Sequence, residues 1–358
     1  MSELRLRADL IGRTAYGAPQ LDVPVRLNVN ENPFPPSAQL VAEIGVAVQE
    51  AAANLNRYPD RDAVQLRKDL AAYISSESNG NVGWENVWPA NGSNEVMHHL
   101  LQAFGGPGRR LLTFGPTYSM YPDYCRETFT EYVEVPRRAD FNIDLEIIAQ
   151  ALLLKPDIIA LCSPNNPTGT VLAPDILAAL VDNFAGLIIV DEAYGEFRDL
   201  EQASAIASYA GHPRVVITRT MSKAFSCAGL RLGYAVAHPD VVAACQLVRL
   251  PYHLSAVTQA VARAALAHSG ELLSQVALLR SERDLLFSWL IEHGFLVNPS
   301  GANFLLFGLF ADRESVWQQL LAQGVLIRQS GPDGWLRVSI GTPAENESFR
   351  KALLGVDL

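Results

Sequence analysis

Cysteine is scarce in this chain. Four residues, Cys125, Cys162, Cys227 and Cys245, are spread over 358, and no two stand at the Cys-x-x-Cys spacing of a zinc site or redox pair. Scattered thiols of this kind fit a reducing compartment. Basic charge is also short: 28 Lys and Arg face 38 Asp and Glu, a formal net charge of −10. That is a poor footprint for nucleic acid or an anionic membrane, although a local arginine cluster can still recognise a small anion. No apolar run approaches the length of a bilayer span. The charged start, Met1 to Asp9, lacks the apolar segment of a signal peptide, so a cytoplasmic location is expected. The adjacent His98 and His99 have no carboxylate or cysteine at ligand spacing, and neighbours on a helix point apart, so no metal is expected. A Walker loop, a Rossmann glycine fingerprint and a nucleophile elbow are all missing; Phe104-Gly-Gly-Pro-Gly-Arg109 reads as a turn.

What remains is a globular composition, 49% hydrophobic and 18% charged, with length for more than one domain. Residues 1–36 read as an arm broken by Pro19, Pro24 and Asn32-Pro-Phe-Pro-Pro36. Helices are expected over 37–55, with Ser37 as its cap, and over 62–77. Short apolar strands then alternate with helices: 110–114, 131–135, 158–162, 187–190, 215–218 and 233–237. Runs apolar at consecutive positions suit a mostly parallel sheet buried on both faces. A long helix over 255–293 follows, then strands at 295–297, 303–307, 325–328 and 336–340 with a helix at 312–322. The fold class is therefore α/β, a large domain with a mostly parallel sheet between helices and a smaller α+β domain.

Several motifs fall where such a sheet binds ligands, past the carboxyl ends of its strands. Thr220-Met-Ser-Lys223-Ala-Phe is followed by Gly229-Leu-Arg231-Leu-Gly-Tyr234, and Leu187-Ile-Ile-Val190 ends in Asp191-Glu-Ala-Tyr194. A lysine with a carboxylate on a neighbouring strand end suits pyridoxal phosphate. The amine forms a Schiff base, and the carboxylate keeps the pyridine nitrogen protonated. Ser222 and Arg231 would anchor the phosphate. Alternatively Asp191 caps the next helix and Lys223 is merely solvated, which leaves the near absence of charge around the lysine unexplained. Asn91-Gly-Ser-Asn-Glu95 opens a helix and fits either an anion site or a plain Ser93 cap. Ser163-Pro-Asn-Asn166-Pro-Thr-Gly169 is a polar turn whose Asn166 amide can reach a phenolate oxygen, or simple turn chemistry. Tyr118 and Tyr121 in Pro116-Thr-Tyr-Ser-Met-Tyr121 fit core packing, with ring stacking open to Tyr118. Arg328 and Arg337 suit a carboxylate or phosphate, or serve edge-strand solubility.

Taken in order, Asn30-Glu-Asn-Pro33, Arg57-Tyr-Pro-Asp60, Asn91-Gly-Ser-Asn-Glu95, Ser163-Pro-Asn-Asn-Pro-Thr-Gly169, Asp191-Glu-Ala-Tyr194, Ser222-Lys-Ala-Phe225 and Ala228-Gly-Leu-Arg-Leu-Gly-Tyr234 resemble the histidinol-phosphate aminotransferases, class-II pyridoxal phosphate enzymes of fold type I. The resemblance runs over nearly the whole chain, and Arg249-Leu-Pro-Tyr-His-Leu-Ser255 belongs to it. It implies amino transfer between L-histidinol phosphate and 2-oxoglutarate in histidine synthesis, by a homodimer with shared active sites. An aromatic amino acid aminotransferase and a threonine-phosphate decarboxylase are the neighbouring readings. A pyridoxal-binding transcription regulator would need a basic domain where the short arm stands. By resemblance, Lys223 carries the cofactor and shuttles the proton. Asp191 holds the ring nitrogen, Asn166 and Tyr194 hold its phenolic oxygen, and Tyr118 stacks on it. Gly92, Ser93, Asn94, Ser222 and Arg231 bind the phosphate, with Tyr58 reaching in from the partner subunit. Arg328 and Arg337 take the substrate's phosphate, Arg337 also the carboxylate of glutamate, and Tyr16, Asn30 and Glu31 line the substrate side. Two positions depart from the family pattern: Asn94 stands where many relatives carry Asp, and the arm around Tyr16 lacks the commoner glycine-containing form. The implied division is 1–45 (arm and first helix, part of the small domain), 46–254 (large domain) and 255–358 (C-terminal small domain).

Overall fold

A computed structural model describes residues 5–15 and 17–357. A mostly irregular arm leads to β1 (Val25–Arg26), then α1 (Ala38–Ala52) and α2 (Val64–Ser78). Strands and helices next alternate as β2 (Val87–Ala90), α3 (Ser93–Phe104), β3 (Arg110–Gly115), α4 (Tyr121–Glu127), β4 (Glu131–Pro136), α5 (Leu145–Leu153), β5 (Ile158–Cys162), α6 (Pro174–Asn183), β6 (Leu187–Asp191), α7 (Ala205–Tyr209), β7 (Val215–Thr220) and β8 (Gly233–Val236). After α8 (Pro239–Val248), α9 (Ala256–Ala267) and α10 (Ser269–Glu292) come β9 (Leu296–Val297), β10 (Phe304–Gly308), α11 (Arg313–Ala322), β11 (Val325–Leu326), β12 (Trp335–Ser339) and α12 (Pro343–Leu354).

The main sheet has seven strands in the order β2-β8-β7-β6-β5-β3-β4. Strands β3 to β7 are parallel and β8 runs against its neighbours. Every residue of β5, β6 and β7 is buried, as their continuous apolar runs require of strands covered on both faces. The second region gathers both ends of the chain: β10 pairs with β9 and β12, and the arm strand β1 lies parallel to β11. The arm is tied further by Leu27 N–H donating to Leu326 O and Ser339 N–H donating to Leu27 O, at 2.8 and 2.9 Å.

Three expectations change. The helix expected over 255–293 is two helices meeting at His268, which caps α9 and precedes α10. Strand β2 is not among the expected strands; it lies at the sheet edge, where the N–H that Pro89 lacks costs little. The boundary expected between residues 45 and 46 falls inside α1. Ser37 does cap α1, its Oγ accepting from Leu40 N–H at 3.2 Å. Among the described residues no helix is long and apolar enough to cross a membrane, and no cluster of His, Cys, Asp and Glu could hold a metal.

Candidate active site

The carboxyl ends of β5, β6 and β7 open into a cavity of about 250 Å³. Register builds its floor: Cys162 pairs with Asp191, and Asp191 with Thr218, so three side chains stand in one row across three strands. Because side chains alternate along a strand, Thr218 and Thr220 face the site while Arg219 points to the other face. Lining residues include Asn30, Ser93, Asn94, Tyr118, Asn166, Asp191, Tyr194, Ser222, Lys223, Arg231, Arg328 and Arg337. Motifs scattered over 300 residues of sequence thus meet in one place.

Asp191 is only 4% exposed. Its Oδ1 accepts from Thr218 Oγ1 at 3.0 Å and from Ala193 N–H at 3.3 Å; its Oδ2 accepts from Tyr121 OH at 2.9 Å. No Lys, Arg or His forms an ion pair with it among the described residues. Burial pushes its carboxyl above the usual range, against the pull of those hydrogen bonds. A buried carboxylate with donors but no cation suits a protonated ring nitrogen.

Lys223 lines the same cavity, its Nζ donating to Val29 O at 2.9 Å and lying 5.9 Å from the centre of the Tyr194 ring. Burial brings its amine down to about 8, helped by the charges of Arg337 and Arg231 and opposed by Glu31. The Tyr194 hydroxyl accepts from Asn30 Nδ2 at 3.0 Å and Asn166 Nδ2 at 3.5 Å. Its own hydrogen is thereby left for an acceptor in the cavity.

At the far end, Gly92 is the N-cap of α3, with φ +84° and no side-chain cap. Ser93 is the first helical residue, so the Ser93-cap alternative fails and the first N–H groups of α3 stay available to an anion. Arg231 explains Gly92: a Cβ there would sit 2.6 Å from Nη2. Gly233 similarly lets β8 pass the helix start, since its Cβ would lie 2.1 Å from Ser93 N. Arg231 Nη1 donates to Ser222 Oγ at 3.2 Å, and no carboxylate pairs with it among the described residues. Tyr118 OH donates to Asn94 Oδ1 at 3.4 Å. This cradle of helix terminus, hydroxyls and guanidinium is chemically fitted to a phosphate, and it shares one cavity with Lys223 and Asp191.

Arg337 Nη1 donates to Asn166 Oδ1 at 2.5 Å and Nη2 to Asn28 O at 2.9 Å, holding it beside the arm. Arg328 lies on the adjacent backbone, paired with Arg337 through an isolated bridge, and its buried Nη1 has no hydrogen-bond partner among the described residues. Of the remaining residues expected here, Glu31 is exposed and outside the cavity lining but near enough to act on the Lys223 charge. Tyr58 is 79% exposed, stacks on Tyr252 at 4.3 Å and does not line the cavity of its own chain. Tyr16 falls outside the described residues. Sequence reasoning missed Tyr121, Thr218 and Asn28. Thr218 was findable from β6–β7 register; the Tyr121 contact and the Asn28 carbonyl carry no sequence signal of their own.

Residues 23–353 match the family model of class I and II aminotransferases. The chain belongs to the class I and II aminotransferase family. It is 55% identical over 355 residues to a histidinol-phosphate aminotransferase of Thermobifida fusca, covering 99% of this chain and 96% of that one. Histidinol-phosphate aminotransferase 3 of Burkholderia lata is 54% identical, again over 99% and 96%. In fold, this aminotransferase chain superposes on the Sinorhizobium meliloti histidinol-phosphate aminotransferase crystallised with pyridoxal-5′-phosphate, with TM-score 0.81 at 23% identity over 92% and 90% of the two chains. The architecture is that of the fold-type I aminotransferases.

Proposed function

We propose that the protein is a cytoplasmic, homodimeric histidinol-phosphate aminotransferase. It transfers an amino group between L-histidinol phosphate and 2-oxoglutarate, giving imidazole acetol phosphate and glutamate. The observation that carries this reading is one cavity joining three features: a buried carboxylate without a cation, a lysine of lowered basicity, and arginines at both ends. The identity above 50% to two curated histidinol-phosphate aminotransferases supports the choice of substrate.

Pyridoxal phosphate, when bound, supplies the electron sink that α-carbon chemistry needs. Asp191 would hold its ring nitrogen, Tyr194 and Asn166 its phenolic oxygen, and Tyr118 its ring face. Gly92, Ser93, Asn94, Ser222 and Arg231 would hold its phosphate. Lys223 Nζ takes the proton from the substrate's Cα as general base, a role helped by an amine near neutrality rather than near its usual 10.5. Arg328, whose Nη1 is buried without a partner among the described residues, and Arg337 would hold the substrate's phosphate. The hydrogen bonds from Arg337 to Asn28 and Asn166 aim its fork before any substrate arrives. Asn30 would line the substrate side with Arg337, and Glu31 would act on it from just outside the cavity lining.

The turn around Tyr58 supports the dimer. It carries an aromatic ring on the surface, braced by Tyr252 and by the Arg249–Asp62 ion pair at 2.8 Å, with Leu55, Leu247 and Leu250 exposed on the segments beside it. Such a braced surface ring is suited to entering a partner's site. The deciding experiment compares kcat/KM for histidinol phosphate and for phenylalanine, each with 2-oxoglutarate. Histidinol phosphate should be preferred by about 100-fold, the worth of one well-paired charged contact or two. A preference for phenylalanine would overturn the substrate while leaving the transamination chemistry standing.

A further inference from the structure

Tyr121 is fully buried at the start of α4, three residues beyond Tyr118, against whose ring it packs edge-on at 5.7 Å. It sits in the apolar cluster that includes Leu111, Ile158 and Cys162. From there its hydroxyl donates to Asp191 Oδ2 at 2.9 Å, the sole donor to that oxygen among the described residues. Oδ1 already has two donors, Thr218 and Ala193 N–H. An ionised carboxylate offers about four acceptor sites. Three are filled from the protein, and the cavity side remains for one more donor.

We propose that Tyr121 is a positioning residue: its hydroxyl bond to Asp191 keeps the carboxylate the weaker base of the Asp191–pyridine pair, and so keeps the shared proton on the ring nitrogen of bound pyridoxal phosphate. This rests on the cofactor reading above. The reasoning is one of competition. Asp191 is nearly excluded from water, and exclusion alone favours its neutral, protonated form. A neutral Asp191 would take the proton and leave the pyridine nitrogen uncharged, a weaker electron sink. Each hydrogen bond donated to the carboxylate opposes this, and Tyr121 opposes it at the oxygen with no other donor. The phenol itself is held well above its ordinary range by burial, so it stays a donor across the working pH. Its packing leaves it little freedom to turn away.

The test is the ¹⁵N NMR shift of ring-¹⁵N pyridoxal phosphate bound to wild-type protein and to Tyr121→Phe, which keeps the ring and removes only the oxygen. The wild-type shift should lie in the pyridinium range. In Tyr121→Phe it should move toward neutral pyridine, while kcat falls about ten-fold, as losing one hydrogen bond to a charged group implies, and KM for the amino donor stays nearly constant. Thr218→Val should move the shift the same way by less, because Ala193 N–H still serves Oδ1. An unchanged ring-nitrogen shift in a Tyr121→Phe protein that binds the cofactor overturns the inference, even if the melting temperature drops, for packing would then be its whole role. A wild-type protein that binds no pyridoxal phosphate would overturn the cofactor reading and this inference together.

Discussion

Asp191 and Glu192 are consecutive carboxylates at the end of β6, 4% and 5% exposed, and they meet opposite circumstances on the two faces of the sheet. Glu192 Oε2 accepts from Arg219 Nε at 3.0 Å and Nη2 at 2.8 Å, and Ser204 and Ala205 N–H complete its shell. Arg219, fully buried, also donates to Glu77 and Glu196 at 3.0 Å each. Asp191, on the cavity face, has hydroxyls and an N–H but no cation. Both faces bury charge at similar cost in desolvation. On one face the protein supplies the counter-charge and closes the ion-pair network, although Glu196 Oε2 stays buried without a hydrogen-bond partner among the described residues. On the other it leaves the counter-charge to a ligand. A closed network belongs to stability, an open one to binding and chemistry, and the comparison makes separate forecasts for each face.

The largest effect belongs to the open face. Lys223→Ala should lower kcat by about four orders of magnitude, the upper range for a lost general base, while the cofactor-free protein melts no lower than wild type. Steady-state turnover beside a thermal melt checks both halves. Near-normal turnover would remove the lysine from the chemistry.

On the closed face, Arg219→Met should cost about 3–5 kcal/mol in urea unfolding, since it leaves the buried Glu192 and Glu196 without their cation and Glu77 with Arg198 alone. Activity per folded molecule should hold. A stable Arg219→Met protein would mean that the two faces do not differ as argued. The mirror experiment is Asp191→Asn. It should reduce kcat about 100-fold or more yet leave the cofactor-free fold at least as stable, because a buried uncompensated carboxylate is a burden until its ligand arrives.

How much of this contrast could be read from the chain differs between the faces. The open face was legible. Lys223, Asp191 and Asn166 each stand at or just past a strand end and Gly92 opens a helix, and strand-end position is a sequence property. The sheet was legible too: all six strands expected in the large domain begin at the expected residue and end within two residues of the expected end, because two-sided burial writes continuous apolar runs. The closed face was not. Arg219 sits inside a β-strand whose neighbours are Thr218 and Thr220, and nothing near it announces Glu77, which is 142 positions away. Long-range pairing of buried charge depends on which helix the sheet's far face receives, and a single sequence leaves that open. Tyr121 was missed for a related reason, since apolar packing and a hydrogen bond to Asp191 demand the same residue.

The finest test of the open face is its response to pH without cofactor. The Lys223 amine is lowered to about 8 in the folded protein from an ordinary 10.5. Between those values the unfolded chain holds a proton that the folded chain has released, so stability must rise with pH across that window. Below about 8 the folded state carries the full cost of burying the charged amine. Above 10.5 that cost is gone. Lys223→Met has no such group, so the unfolding free energy of wild type relative to this variant should climb between pH 8 and 10.5. With allowance for the amine's partial contact with solvent, the gain should be about 1–2 kcal/mol. Urea unfolding of both proteins at a series of pH values measures it. A flat difference would show that the amine is not held in a desolvating, cationic environment, and the open face would then lack one of the two properties that set it apart from the closed one.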